Sequence, residues 1–168
     1  MSDTRWLDGD EQHTWRSFLT ATRLFLDGIE RQLQQDSGLP HAYYEILVRL
    51  SEAPGRTMRM SELATTSLSS RSRISHAVAR LESSGWVRRR PCEHDKRGQL
   101  AELTDEGVAG LEAAAPAHVE AVRRGLFDAL SPEQVTALRE ISDTLVAHLS
   151  SEPVWPAADD CPGPGGEH

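Results

Sequence analysis

Ser70-Arg71-Ser72-Arg73-Ile74-Ser75-His76-Ala77-Val78-Ala79-Arg80-Leu81-Glu82-Ser83-Ser84-Gly85-Trp86-Val87, residues 70–87, is the stretch whose reading decides the fold. Ile74, Ala77, Val78 and Leu81 recur at steps of three and four, the apolar stripe of a helix laid on a core. At 100° per residue the opposite face carries Ser72, Ser75, His76, Ala79 and Arg80, with Arg73 at its edge. Ser70 is placed to cap this helix, expected over 71–84, and Gly85 to end it. One side is made for packing; the other presents hydroxyls, an imidazole and guanidinium groups.

Upstream, Met60 to Thr66 reads as a two-turn helix with Leu63 and Ala64 inward, and Ser67 to Ser69 as a turn. Downstream, Trp86 to Pro91 and Gln99 to Thr104 are strand-like runs, and the charged segment Cys92–Gly98 between them suits a hairpin turn. A further helix over 41–53 has Tyr44, Leu47, Val48 and Leu50 as its inner face and breaks at Pro54-Gly55. Helix, short helix, turn, helix and two strands with a charged loop make a winged helix-turn-helix, here about 41–104.

Long amphipathic helices flank this module. Trp15, Phe18, Leu19, Thr22, Phe25, Leu26, Ile29 and Leu33 form one stripe over 11–35, stopped by Gly38 and Pro40. Thr104 caps a helix to about 129, with Asp105 and Glu106 in its first turn and a kink expected at Pro116. Ser131-Pro132-Glu133-Gln134 starts the last helix, 132–150, striped by Val135, Leu138, Ile141, Leu145 and Leu149. The predicted class is mostly α with a small β component: a flexible leader over 1–10, one domain over 11–150 and a disordered tail over 151–168.

Composition narrows the function. A chain of 168 residues that is 38% hydrophobic and 26% charged can bury a core. No apolar run approaches the roughly 20 residues that span a bilayer, and no signal-peptide core is read, so the expectation is a cytoplasmic protein without membrane contact. Cys92 and Cys161, the two cysteines, exclude a disulfide framework and a four-cysteine zinc site. The net charge of −8 is unevenly spread. From Arg56 to Arg97 ten basic residues meet four acidic ones, a net of +6, which leaves −14 elsewhere. Such segregation suits a DNA-facing module on an acidic scaffold. The motifs G-x-S-x-G, H-E-x-x-H, C-x-x-C and G-x-x-x-x-G-K-[ST] do not occur, so neither an enzyme nor a cofactor is expected. Cys92 with His94 lacks further clustered ligands, so no metal site is expected.

Three segments in order, Met60–Ala64, Ser70–Val87 and Asp95–Gly107, resemble the multiple antibiotic resistance regulator (MarR) family. The last matches the family's wing pattern, D-x-R followed by L-T-x-x-G. The resemblance covers about 11–150 and implies a transcriptional regulator, a ligand-responsive repressor that binds a palindromic double-stranded DNA operator as a homodimer. It implies that the recognition helix enters the major groove, where Ser72, Arg73 and His76, with Ser75 nearby, meet base edges. Ser70 at the helix N-terminus and Arg80 further along are then candidates for phosphate. The wing Arg97 would reach the minor groove, and Asp95 would hold an arginine and structure the wing. Strand alternation sends Arg88 and Arg90 one way and Arg89 the other, and one or two of these would meet phosphate.

The flanking stripes carry more apolar surface than one winged module can cover, and the resemblance implies that they interleave with a second subunit. It also implies a small aromatic or phenolic effector, with Trp15, Phe18, His41, Tyr43 and Tyr44 as candidate lining. Two alternatives remain: a thiol-based redox sensor using Cys92, and a winged-helix interaction module without DNA binding. The basic cluster and the Asp95-x-Arg97 pattern argue against the second.

Overall fold

The first helix, α1 (Gly9–Ser37), starts two residues earlier than its stripe predicts, because of a capping box. The Glu11 N–H donates to Asp8 Oδ1 at 2.8 Å, and the Asp8 N–H donates to Glu11 Oε2 at 3.0 Å. Gly38 ends the helix in the left-handed region (φ 67°), turning its N–H onto Gln34. The computed structural model describes residues 4–92 and 95–150, without the side chains of 95–97. The expected tail, 151–168, and the first three residues of the expected leader lie outside the described residues.

Helix α2 (His41–Glu52) follows, then a turn at 54–56 and a strand the sequence reading lacks, β1 (Thr57–Arg59). Next come α3 (Met60–Thr66) and α4 (Arg71–Ser83), then β2 (Val87–Cys92) and β3 (Asp95–Leu103). The sheet is antiparallel in the order β1-β3-β2. Thr57 pairs with Glu102 on one side of β3, and Arg88 pairs with the same Glu102 on the other. Three residues are too few to show a period, so only their partner strand reveals β1. The expected turn at Cys92–Gly98 is also corrected. The ladder resumes at Asp95, with a register shift between Pro91 and Cys92, so Asp95 to Gly98 belong to the strand.

The core joins the elements of the winged module to the end of α1. Leu33, Leu47, Leu50, Leu63, Val78 and Ala101 are fully buried, and Ile29, Ile46, Ile74, Leu81, Val87 and Leu103 are nearly so. In α4 the buried residues are Ile74, Ala77, Val78 and Leu81, the stripe read from spacing alone.

Thr104 caps α5 (Asp105–Gly125): its Oγ1 accepts from the Gly107 N–H at 3.0 Å and donates to the Gly85 carbonyl at 2.7 Å. One hydroxyl thus ties the turn after α4 to the start of α5. Helical structure continues through Pro116 and stops at Gly125, and residues 127–129 form a single 3₁₀ turn where the sequence predicts α-helix. The last helix, α6 (Pro132–Leu149), has the capping box between Ser131 and Gln134 and buries none of its residues within this chain. No described helix is long and apolar enough to cross a membrane.

Gly107 lets α5 close on the winged module. A Cβ there would lie 2.2 Å from the Trp86 carbonyl oxygen and 2.7 Å from Leu103 Cδ1, and the first of these is backbone that cannot turn aside. Gly107→Ala is expected to cost about 1–3 kcal/mol of stability, read by urea denaturation. An unchanged midpoint would contradict this packing.

Candidate nucleic-acid interface

Helix α4 is held at both ends before its surface is used. The Ser70 side chain accepts from the Arg73 N–H at 3.3 Å, and the apolar stripe fixes the rotation of the helix. Ser72, Arg73, Ser75, His76 and Arg80 are all exposed, on the face opposite Ile74 and Val78. A groove of about 430 Å³ runs beside this face. It brings Arg71 and Ser75 of α4 together with Arg59 of β1, Ser61 of α3, and Gly98 and Gln99 of β3. Arg59, Arg71 and Gln99 were not singled out in the sequence. Arg71 was legible as the first residue of the capped helix, whereas the placement of Arg59 depends on the undetected strand.

The basic cluster divides on folding. Arg88 and Arg90 both engage Glu102, the former at 2.8 Å, because they share one face of β2 and Glu102 pairs with Arg88 across the ladder. Arg89 faces the other way and binds Glu82 of α4, with its Nε donating to Oε2 at 2.7 Å. The Arg89 hydrogen bonds hold the Glu82 carboxyl below its ordinary pKa. Arg56 pairs with Asp105 at 3.0 Å. Arg71, Arg73 and Arg80 form no ion pair among the described residues, so uncompensated guanidinium charge gathers on α4. The Asp95 and Arg97 side chains lie outside the described part, and Cys92 is partly buried with the Arg59 Nη2 donating to its Sγ at 3.3 Å.

Within one chain the five aromatic and imidazole candidates do not share a crevice. Trp15 and Phe18 sit in the first half of α1 and are 52% and 50% exposed. Trp15 is about six turns, or about 33 Å, from the end of that helix. Tyr43 lines a cleft of about 520 Å³ with Gln34, Leu39, Arg80 and Trp86. Tyr44 is buried, its ring 4.3 Å from that of His118 on α5, and His41 lies beyond at 6.2 Å from His118. Periodicity could not find His118, because its neighbours come from another helix. Among the described residues no three His, Cys, Asp or Glu side chains are grouped to hold a metal ion.

Burial and, secondarily, the nearby His41 lower the His118 pKa, and burial raises that of Tyr44. A histidine whose folded pKa lies below the ordinary 6.5 binds fewer protons folded than unfolded. Its contribution is therefore fully present above about pH 7 and declines as pH falls through the unfolded value. His118→Gln is expected to flatten that acid-side loss, seen as a smaller Tm difference between about pH 7.5 and about pH 5.5. An unchanged difference would exclude His118 as its source.

Comparison with known proteins agrees with this architecture. A family model described as MarR family matches residues 37–98. The chain is 51% identical to Sco3205, a MarR family transcriptional regulator from Streptomyces coelicolor solved in complex with DNA. That match covers 90% of this chain and 95% of Sco3205, with a TM-score of 0.86. AbsC, a MarR family transcriptional regulator from the same organism, is 44% identical over 89% of this chain and 100% of its own, with a TM-score of 0.83. The HTH-type transcriptional regulator PecS of Dickeya dadantii is 34% identical over 89 residues, 53% of each protein, so the match spans about half the length of that curated relative.

Proposed function

Since this chain belongs to the MarR family of transcriptional regulators, which are not enzymes, we propose that it binds a palindromic DNA operator as a homodimer and represses transcription until a small ligand releases it. The observation that carries the reading is the exposed face of α4. Among the described residues it keeps Arg71, Arg73 and Arg80 free of ion pairs, while Arg56 and Arg89 pair with Asp105 and Glu82, and Arg88 and Arg90 share the single Glu102 carboxylate. In the major groove Ser72, Arg73 and His76 would read base edges, Arg most selectively through bidentate bonds to guanine, with Ser75 beside them. Ser70 and Arg80 would take phosphate. Arg97, steadied by Asp95, would enter the minor groove. Arg88 and Arg90 would meet phosphate in competition with Glu102. The solved Sco3205 complex with DNA supports the class of partner.

An aromatic or phenolic effector finds its support in the cleft beside Tyr43. The cleft joins the end of α1 to the C-terminal end of α4, so a molecule seated there would touch the recognition helix directly.

Two substitutions one residue apart test the reading. Arg73→Ala is expected to relax base preference by about 1–3 kcal/mol at one position per half-site and to leave the Tm unchanged. Ile74→Ala is expected to cost about 2–5 kcal/mol of stability. Sequence preference is read by selection from a random duplex library and stability by thermal melting. The reverse pattern would mean that α4 presents its other face to DNA.

A further inference from the structure

Leu68 lies in the turn between α3 and α4 and combines two costs. Its φ is +47°, in the left-handed region that a side chain disfavours, and the residue is 75% exposed. The strain is built in by the turn. The N–H groups of Ser67, Leu68 and Ser69 donate to Leu63, Thr65 and Ala64 at 3.0, 3.1 and 3.0 Å, the hydrogen bonding that closes a helix on a left-handed residue. Glycine is the usual occupant of such a position, because it has no Cβ to strain. Leucine adds strain and leaves an apolar side chain in water, and at 75% exposure the chain's own contacts do little to offset either. A strained, exposed residue of this kind points to a use outside the chain.

Its surroundings identify that use. Every other large apolar residue that is exposed among the described residues lies on the flanking parts of the chain. These are Trp6 to Leu26 at one end and Val119 to Leu149 at the other. Leu68 is the single one within the winged module, so it belongs to no apolar patch that a protein partner would cover. Its neighbours in the chain are instead Ser69, Ser70 and Arg71, which forms no ion pair among the described residues: the hydroxyls and cation that meet a nucleic-acid backbone. The apolar group that DNA offers beside its phosphates is the 5-methyl of thymine, at the edge of the major groove. We infer that Leu68 is a specificity-determining residue that packs on a thymine methyl next to the bases read by α4. This rests on the DNA-binding reading and adds a contact that hydrogen-bonding residues cannot make.

The test uses the full chain and a random duplex library. The wild-type protein should enrich a motif with thymine at a fixed position in each half-site. Leu68→Gly removes the side chain and relieves the left-handed strain, so its Tm should equal or exceed the wild-type value. Leu68→Asn, whose side chain tolerates this conformation, guards against a fold effect peculiar to glycine. Both should lose preference at that position and bind the wild-type motif about fourfold more weakly per half-site, the worth of one buried methyl-sized group. Replacing that thymine with deoxyuridine should cost the wild-type protein the same factor and cost the variants nothing, the non-additivity of a direct contact. Unchanged preference in both variants, or equal deoxyuridine losses in all three proteins, would overturn the inference and leave the DNA-binding reading standing. Loss of dimerisation in the variants would overturn it in favour of a protein contact. Failure of the wild-type protein to enrich any motif would remove the DNA-binding reading and this inference together.

Discussion

Affinity for a selected operator duplex is expected to fall by about 10³ between 50 and 200 mM salt, even though the chain carries a net charge of −8. Counterion release follows the phosphates neutralised, not the total charge. Among the described residues Arg71, Arg73 and Arg80 form no ion pair, and a two-fold dimer would bring about six such cations to the duplex. Each would displace counterions whether it meets a phosphate or, as Arg73 would, a base edge between them; this is the lower end of the range that gives steep slopes. Glu102 sets the reserve. Its one carboxylate is shared by Arg88 and Arg90, so Glu102→Gln should raise the net charge of this group by one, release both side chains, steepen the log–log slope and raise low-salt affinity. Titration of a labelled duplex at several salt concentrations measures both effects. A flat plot would sink the assignment of α4 as a phosphate-contacting surface, and an identical slope for Glu102→Gln would show that Arg88 and Arg90 stay away from the duplex.

A double charge introduced on α6, Ile141→Asp with Leu145→Asp, is expected to yield a folded monomer that binds DNA about 10²–10⁴-fold more weakly. The motive is the state of that helix. It has an apolar stripe but buries nothing in its own chain, with Ile141 57% and Leu149 78% exposed. Trp15 and Phe18 leave the first half of α1 in the same condition. Apolar stripes of this length in water call for a covering surface, and a second copy would supply a self-complementary one. Each half-site would then hold one α4, and separating the subunits would remove the gain from simultaneous engagement. Light scattering after size exclusion gives the oligomeric state, and circular dichroism reports whether the winged module stays folded. A double variant that remains dimeric, or a monomer that binds as tightly as the wild-type protein, would refute the interface.

The winged module was legible because its signals are local. The helices at 60–66 and from 71, the inward Ile74–Leu81 stripe, the caps at Ser70, Thr104 and Ser131, and the run of motifs through Gly107 all depend on residues within one or two turns of each other. A cap or a period carries its evidence in the adjacent chain, so no partner is needed to read it. The rotation of α4, and with it the exposure of Ser72, Arg73, Ser75, His76 and Arg80, followed from the same arithmetic.

Tertiary structure decided the rest, for one physical reason. Spacing tells which side of an element is apolar or charged but not what stands opposite it. The strand Thr57–Arg59 exists through its pairing with β3, more than forty residues away in the chain. Ten basic residues could be counted between Arg56 and Arg97, but the register that sets Glu102 against Arg88 and Arg90, and the packing that brings Glu82 to Arg89, determined which charges remain free. Within one chain, the five residues proposed as one lining are set apart by the length of α1 and by the burial of Tyr44 against His118. Composition and periodicity thus determined the module and which face of α4 points outward. The charge left on that face, and the contacts around it, came from long-range pairings that sequence spacing does not encode.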